Sequence, residues 1–226
     1  MQKYNVLFID LDDTLLEYHS EEINNVLKVL ENHSLPHSED VASVYSEIEA
    51  WHTYELGKEI TVFDVITNRF CVLLKMLEIK EPQFSALRLE FFELMQKSHK
   101  LKSGVLKTLK NLKVKGYKLY ITANGYTDFQ LARIKAAKIM NYFDGIFISE
   151  QIGCRKPSPA YFNFVMNHIP ESNRSKVLII GDAPSADILG GINAKIDTCF
   201  IPSVIAKSKY RYTYKLEKFE DLANLL

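Results

Sequence analysis

An apolar run near the start of the chain leads directly into a group of acidic residues. The run Val6–Ile9 has the composition of a strand buried on both faces, as the central strands of parallel sheets are. Asp10, Asp12 and Asp13 follow within four positions. Ligands of open α/β sheets bind beyond the carboxyl ends of the strands, so we expect these carboxylates in a site. An acidic turn that caps a helix is the alternative, but grouped carboxylates repel each other and usually serve a cation, a shared proton or a reaction.

The segment after these carboxylates has the pattern of a helical bundle. Between about residues 20 and 99, apolar residues recur at helical spacing. Pro36, Gly57 and Pro82 interrupt the pattern, which predicts four amphipathic helices.

From Ser103 onward, predicted helices alternate with predicted strands. Repeated βα units with right-handed crossovers predict an α/β fold with a doubly wound, mostly parallel sheet. Residues 1–16 and 103–226 are therefore predicted to form the core, and residues 17–102 an inserted α-helical bundle. The predicted strands are 117–121, 145–148, 176–180, 198–201 and an edge strand at 210–214; the predicted helices include 127–139, 158–168, 184–194 and 218–226.

Four stretches carry polar residues of chemical interest in a fixed order: Asp10–Leu15, Tyr120–Gly125, Arg155–Pro157, and Ile180–Asp182 with Asp187 five residues later. Together they resemble the four motifs of the haloacid dehalogenase (HAD) superfamily phosphatases. The resemblance extends over the whole chain and is closest to the pyrimidine 5'-nucleotidase branch. The helical insert resembles the cap that many HAD enzymes carry after the first motif.

The resemblance implies a role for each of several residues. Asp10 would be the nucleophile that forms an aspartyl-phosphate. Asp12 would protonate the leaving oxygen and then activate the hydrolytic water, as paired carboxylates in different environments can. The Thr122 hydroxyl and the Ala123 backbone N–H would bind phosphate oxygens. Lys156 would place a positive charge beside the nucleophile and the phosphate.

The same resemblance implies a Mg²⁺ site. Mg²⁺ prefers oxygen ligands and is typically held by one or two carboxylates and the substrate phosphate. Asp10, the main-chain carbonyl of Asp12, and Asp182 would be the ligands. Asp187 would orient a metal-bound water or the Lys156 ammonium. Taken alone, Asp182 could equally cap the helix that follows it.

The predicted function is a Mg²⁺-dependent phosphatase of small phosphate monoesters, with nucleoside 5'-monophosphates as the favoured substrates. Asp12 argues against the dehalogenase branch, which does not need an acid at that position. A sugar phosphomutase and a phosphoglycolate or sugar-phosphate phosphatase stay open, because they share all four motifs. A non-catalytic binding protein on the same scaffold is the alternative from another class.

The residues that select the leaving group are expected in the insert. Trp51, Tyr54, Phe63 and Arg69 are the candidates there, although each is also suited to the interior or surface of the bundle. Asn124 is a weaker candidate, because Ala123 separates it from Thr122 and many relatives have Asn directly after Thr.

Bulk composition excludes several other classes. The chain has 28 basic and 28 acidic side chains among 226 residues and no concentrated basic stripe, which argues against a nucleic-acid polymer as partner. Neither a secretory leader nor an apolar run of membrane-spanning length is evident, so the expected location is the cytoplasm. Cys71, Cys154 and Cys199 are widely spaced and are expected to be reduced thiols. A monomer or homodimer is expected.

Overall fold

The computed structural model describes residues 3–52, 62–171, 173–203 and 207–226. The chain divides into two compact units. Met1–Glu17 and His99–Leu226 form the first, here called the core unit, and Tyr18–Ser98 form the second, the helical unit.

The core unit is built on a sheet of six parallel strands in the order β3-β2-β1-β4-β5-β6. The chain adds β2 and β3 on one side of β1 and then crosses to add β4, β5 and β6 on the other. The sheet therefore has the doubly wound topology that the alternating pattern predicts, and the predicted fold class is confirmed. The strands are β1 (Val6–Ile9), β2 (Lys118–Ala123), β3 (Gly145–Ile148), β4 (Val177–Gly181), β5 (Asp197–Phe200) and β6 (Tyr214–Lys215).

Strand β1 is buried along its whole length because it pairs with β2 on one side and β4 on the other. Ile9 lies opposite Ile121 and Ile180 in this register. Its continuous apolar composition follows from this central position. Residues just beyond Ile9 consequently emerge in the middle of the carboxyl edge of the sheet.

Helices cover both faces of the sheet. Leu109, Ile134 and Leu222 pack with Ile9 on one face, whereas Phe162 packs with Phe8 on the other. The helices of the core unit are α5 (Val105–Val114), α6 (Thr127–Ala136), α7 (Ser149–Ile152), α8 (Pro159–Asn167), α9 (Leu189–Ala194) and α10 (Leu222–Leu225).

The described part of the helical unit contains four helices, the number that the spacing of apolar residues predicts: α1 (Tyr18–Asn32), α2 (Glu39–His52), α3 (Val62–Met76) and α4 (Gln83–Lys97). Helix α1 packs against α2 and α4, and α3 packs against the same two helices. Phe70 and Phe91 are fully buried, with ring centroids 4.7 Å apart. None of the described helices combines the length and the apolar character that a membrane span requires.

Three predicted elements differ from the structure in extent or type. The edge strand comprises Tyr214–Lys215 rather than residues 210–214, because pairing with β5 begins only where Tyr214 lies opposite Cys199. The predicted closing helix is a 3₁₀ turn, Phe219–Asp221, followed by the short α10. The predicted helix 184–194 begins as a π-helical turn, Pro184–Ile188, before continuing as α9.

Candidate active site

Candidate site residues lie at the carboxyl ends of three adjacent strands of the sheet. Asp10 comes directly after β1 and Asp182 directly after β4, while Thr122 and Ala123 are the last residues of β2. Parallel pairing of β1 with both neighbours brings these positions together. Asp10, Thr122 and Asp182 are all buried, so side chains predicted to act on phosphate or to bind Mg²⁺ are grouped in the interior.

The turn after β1 is fixed by backbone hydrogen bonds. The N–H of Asp10 donates to the carbonyl of Ile180 at 2.9 Å and continues the pairing with β4. The N–H groups of Leu15 and Leu16 both donate to the carbonyl of Leu11, which closes a tight turn. The Thr14 hydroxyl lies 3.2 Å from Oδ2 of Asp10 and donates to it. The Asp10 carboxylate is thus oriented by its own turn.

Lys156 lies at the centre of the group. Its Nζ donates to Oδ1 of Asp10 at 2.6 Å, to Oδ1 of Asp187 at 2.6 Å and to the carbonyl of Thr122 at 2.8 Å. The Lys156 side chain is only 2% exposed. The three donors of the ammonium therefore all have acceptors, and the charge is shared between two carboxylates.

The backbone of Lys156 is held by the side chain of Asn124. Oδ1 of Asn124 accepts from the Lys156 N–H at 2.9 Å, and its Nδ2 donates to the Lys156 carbonyl at 3.1 Å. The structure thus places Asn124, a candidate for substrate contact, in contact with the loop that carries the lysine. A substrate contact by Asn124 stays a prediction.

Asp187 is positioned by the π-helical turn. Its Oδ2 accepts from the N–H of Ala183 at 3.1 Å, while its Oδ1 faces Lys156. A Cβ atom at Gly181 would overlap the Asp187 carboxylate, so only glycine leaves room for this approach. Both oxygens of Asp187 already have partners, which suits the orienting role predicted for it.

Burial and mutual repulsion shape the titration of these carboxyl groups. Burial and the nearby Asp187 raise the pKa of Asp10 to about 7, against the opposing effect of the Lys156 ammonium. Burial, followed by the charges of Asp10 and Asp187, raises the pKa of Asp182. Burial alone would lower the pKa of Lys156, but the carboxylates of Asp10 and Asp187 outweigh it and raise that pKa. The carboxylates thus share one buried cation and would gain from another positive charge.

Asp10, Asp182 and Asp187 each offer an oxygen within 4.8 Å of the other two, and all three residues are buried. Hard carboxylate oxygens at this separation suit Mg²⁺. Asp10 and Asp182, which directly follow β1 and β4, stay the predicted direct ligands. The buried Thr122 hydroxyl oxygen has no hydrogen-bond partner among the described residues, as expected of a group that would donate to a bound phosphate.

Asp12 makes two contacts with residues outside the four motifs. Its Oδ1 accepts from Nη1 of Arg133 at 2.6 Å, and its Oδ2 accepts from Nε2 of Gln130 at 2.8 Å. Both partners come from the buried face of α6, where they lie beside Phe129 and Ile134. Two polar side chains on the core-facing side of a helix are a signal that could have been found in the sequence.

The candidates in the insert have different positions. Arg69 forms an ion pair with the fully buried Glu22 at 2.9 Å, and its side chain is 17% exposed. Phe63 packs against Phe92 with ring centroids 5.2 Å apart, and the Arg88 guanidinium lies 4.5 Å from the Phe63 ring. Roles for Phe63 and Arg69 in substrate selection stay predictions. Trp51 belongs to α2, but its side chain lies outside the described residues, as does the whole of Tyr54.

A family model and a protein of known structure are similar to nearly the whole of this chain. A family model described as haloacid dehalogenase-like hydrolase matches residues 6–201. HAD-hydrolase YfnB of Bacillus subtilis is 32% identical over 100% of this chain and 97% of its own length. A crystal structure of YfnB bound to magnesium covers 100% of this chain and 99% of its own, with 31% identity and a TM-score of 0.86.

Two further relatives carry names that state an activity. The pyrimidine 5'-nucleotidase PynA of Streptococcus pneumoniae is 31% identical over 99% of this chain and 95% of its own length. The pyrimidine 5'-nucleotidase YjjG of Escherichia coli is 28% identical over 88% of this chain and 86% of its own length.

Proposed function

The chain belongs to the haloacid dehalogenase-like hydrolase family, and from that premise we propose that it is a Mg²⁺-dependent phosphatase of small phosphate monoesters, with pyrimidine nucleoside 5'-monophosphates as preferred substrates. One observation carries the proposal. Asp10, Asp182 and Asp187 lie within 4.8 Å of one another in the interior, and Lys156 bonds two of them at 2.6 Å. Such a charged cluster is costly to bury and has no purpose in packing.

Asp10 is the nucleophile in this proposal. Its carboxylate oxygen forms a bond to phosphorus while the bond from phosphorus to the ester oxygen breaks. Asp12 gives its proton to the departing oxygen, which leaves as an alcohol. Asp12 then accepts a proton from the water that attacks the aspartyl-phosphate, which frees Asp10 and releases inorganic phosphate. The exposed 29% of the Asp12 side chain leaves room for these proton transfers.

Positive charge has to balance the phosphate oxygens and the carboxylates. Lys156 supplies part of it, and its bond to Asp10 also favours the ionised form of the nucleophile, because it opposes the rise in the pKa of that carboxyl group. Asp10, Asp182 and the main-chain carbonyl of Asp12 are the proposed Mg²⁺ ligands, with Asp187 holding Lys156 in place. Mg²⁺ bound there would neutralise charge on the transferred phosphoryl group. The unpartnered Thr122 hydroxyl would donate to a phosphate oxygen.

The proposed substrate class rests on the relatives named as pyrimidine 5'-nucleotidases, which align over most of both chains. The proposed partner molecule is a small phosphate ester, whether or not its leaving group is a nucleoside. The assignment of residues 17–102 as a cap that selects the leaving group remains a prediction, as do the roles of Phe63 and Arg69.

Release of inorganic phosphate tests the proposal directly. The purified chain would be incubated with uridine, cytidine and adenosine 5'-monophosphates, glyceraldehyde 3-phosphate, phosphoglycolate and glucose phosphates, each with Mg²⁺ and with excess EDTA. We expect release that requires Mg²⁺ and is fastest with the pyrimidine nucleotides. Preference for a sugar phosphate would remove the proposed substrate class, and isomerisation of a glucose phosphate without phosphate release would favour the mutase.

Asp10→Asn provides the mechanistic control. The amide has nearly the same shape but is a poor nucleophile, so turnover should vanish. The melting temperature should stay near that of the wild type, because Lys156 keeps Asp187 as a charged partner. Substantial turnover by a freshly prepared variant, with deamidation excluded by mass spectrometry, would rule out the covalent mechanism.

A further inference from the structure

The carboxylate of Asp12 is held at both of its oxygens by one helix. Oδ1 accepts from Arg133 at 2.6 Å and Oδ2 accepts from Gln130 at 2.8 Å. The two donors are bonded to each other as well, because Nη1 of Arg133 donates to Oε1 of Gln130 at 2.9 Å. Separate donors on the two oxygens fix the rotation of the carboxyl group about its bond to Cβ, which a single contact would leave free.

This arrangement requires a buried charge. Arg133 is fully buried, and a buried arginine is rare unless it is paired. Its guanidinium carbon lies 5.4 Å from the centre of the Phe129 ring, in the interior of the core unit. An anchor for the turn after β1 could be built from uncharged groups at a lower desolvation cost.

The backbone of the loop after β2 leaves room for the side chain of Gln130, which contacts Asp12. Gly125 has φ of +131°, and a Cβ atom there would lie 2.9 Å from Nε2 of Gln130. That Nε2 also donates to the carbonyl of Asn124 at 3.0 Å, so both N–H bonds of the amide have acceptors. The position of Gln130 is therefore set by the second motif, the same loop whose Asn124 side chain holds Lys156.

We propose that Gln130 and Arg133 are positioning residues for Asp12, which hold its carboxyl group in the orientation needed for acid and base catalysis. The proposal rests on the proposed phosphatase function. Each carboxylate oxygen can accept more than one hydrogen bond, so the held group can still exchange a proton with a reacting oxygen. In the first step that proton passes to the ester oxygen as its bond to phosphorus breaks. In the second step Asp12 takes a proton from the attacking water.

A positioning role predicts a dependence on the leaving group. An alcohol with a high pKa needs its oxygen protonated as it departs, whereas p-nitrophenolate leaves readily without a proton. Loss of Asp12 orientation should therefore slow hydrolysis of alkyl phosphates and spare p-nitrophenyl phosphate. A merely structural role would slow both substrates together.

The test compares kcat/KM for uridine 5'-monophosphate and p-nitrophenyl phosphate. The variants are Gln130→Met and Arg133→Lys, and Lys135→Gln is the control, since Lys135 is exposed on the same helix. We expect Gln130→Met and Arg133→Lys to lose tenfold or more with the nucleotide and less than about threefold with p-nitrophenyl phosphate, because a positioned acid contributes about 10²–10⁴-fold. The control should match the wild type with both substrates.

A second measurement separates positioning from folding. In an Asp12→Asn background, Gln130→Met should have little further effect on nucleotide hydrolysis, since residues that act through one group are not additive. Three outcomes would each overturn the proposal: equal losses with both substrates, wild-type kinetics in the Gln130→Met variant, or a full additional loss in the Asp12→Asn background. If Arg133→Lys does not fold, Gln130→Met decides alone. Failure of the proposed function would appear differently, as a wild-type protein that hydrolyses neither substrate.

Discussion

Replacing Lys156 by methionine should destabilise the fold as well as abolish activity. Methionine has a similar length, so the change removes charge rather than volume. Lys156 pairs with Asp10 and Asp187 at 2.6 Å each, and the side chains of the lysine and of Asp187 are almost fully buried. Removing one partner of a buried ion pair costs about 3–5 kcal/mol, because the other charge is left uncompensated. In a chain of this size that corresponds to a fall in Tm of roughly 6–20 °C.

The loss should depend on pH and should be partly reversible by a second substitution. Without Lys156, burial raises the pKa of the remaining carboxyl groups above that of the unfolded chain. A group whose folded pKa is raised contributes stability at low pH and loses it as the pH rises, so the deficit should be larger at about pH 8 than at about pH 5.5. Adding Asp187→Asn removes one of the uncompensated charges, and the double variant should recover about half of the lost stability.

Urea unfolding in the presence of EDTA is the appropriate assay, because a bound metal would otherwise offset the missing charge. Lys102→Met is the matched control, since Nζ of Lys102 donates to the carbonyl of Asp13 at 2.7 Å rather than to a buried carboxylate. We expect the control to lose about 1 kcal/mol or less, as for a single hydrogen bond. A similarly small loss for Lys156→Met, or no recovery on adding Asp187→Asn, would refute the account of the buried charges.

Three further predictions follow from individual contacts. Gly181→Ala should displace Asp187 and cost about 1–3 kcal/mol of stability together with most of the activity. Gly145→Ala should cost less, because its Cβ would meet the Tyr120 ring at 3.1 Å and the Phe147 ring at 3.7 Å; equal effects of the two substitutions in thermal unfolding and phosphate release would contradict this. Asn124→Ala removes both hydrogen bonds to the Lys156 backbone and should lower kcat for uridine 5'-monophosphate and p-nitrophenyl phosphate by the same factor, so a loss confined to one substrate would instead indicate a substrate contact. Although burial acts to raise the pKa of Asp144, hydrogen bonds from Lys113, the Leu119 N–H and Lys118 lower it overall. The wild type should therefore have a higher unfolding free energy than Asp144→Asn at pH 7, and the difference should shrink as the pH falls below the ordinary pKa of 3.8. A difference that is constant with pH would contradict this prediction.

Much of the fold follows from local patterns in the chain. The apolar run Val6–Ile9 requires burial on both faces, and the later alternation of helices and strands supplies the neighbours that bury it. Asp10 and Asp182 come together because each follows directly after a parallel strand, and the carboxyl ends of such strands share one edge. These inferences need only the order of the elements, so the sequence is sufficient for them.

Local geometry at element ends was less predictable. Apolar spacing indicates a helix through residues 184–194, but the first turn is π-helical, and Asp187 within it faces both the Ala183 N–H and Lys156. The edge strand is also displaced toward Lys215, because its extent is set by register with β5 and not by its own aromatic residues.

Side-chain pairing across long separations was decided only by the tertiary structure. Gln130 and Arg133 are 118 and 121 residues from Asp12, and Asn124 is 32 residues from Lys156. Arg69 likewise pairs with Glu22 on another helix. Periodicity shows which face of an element is buried, but the partner of each side chain on that face depends on the axial position and rotation of the packed elements. The sequence therefore determined which residues gather at the carboxyl edge of the sheet, whereas packing determined which of them hold the others in place.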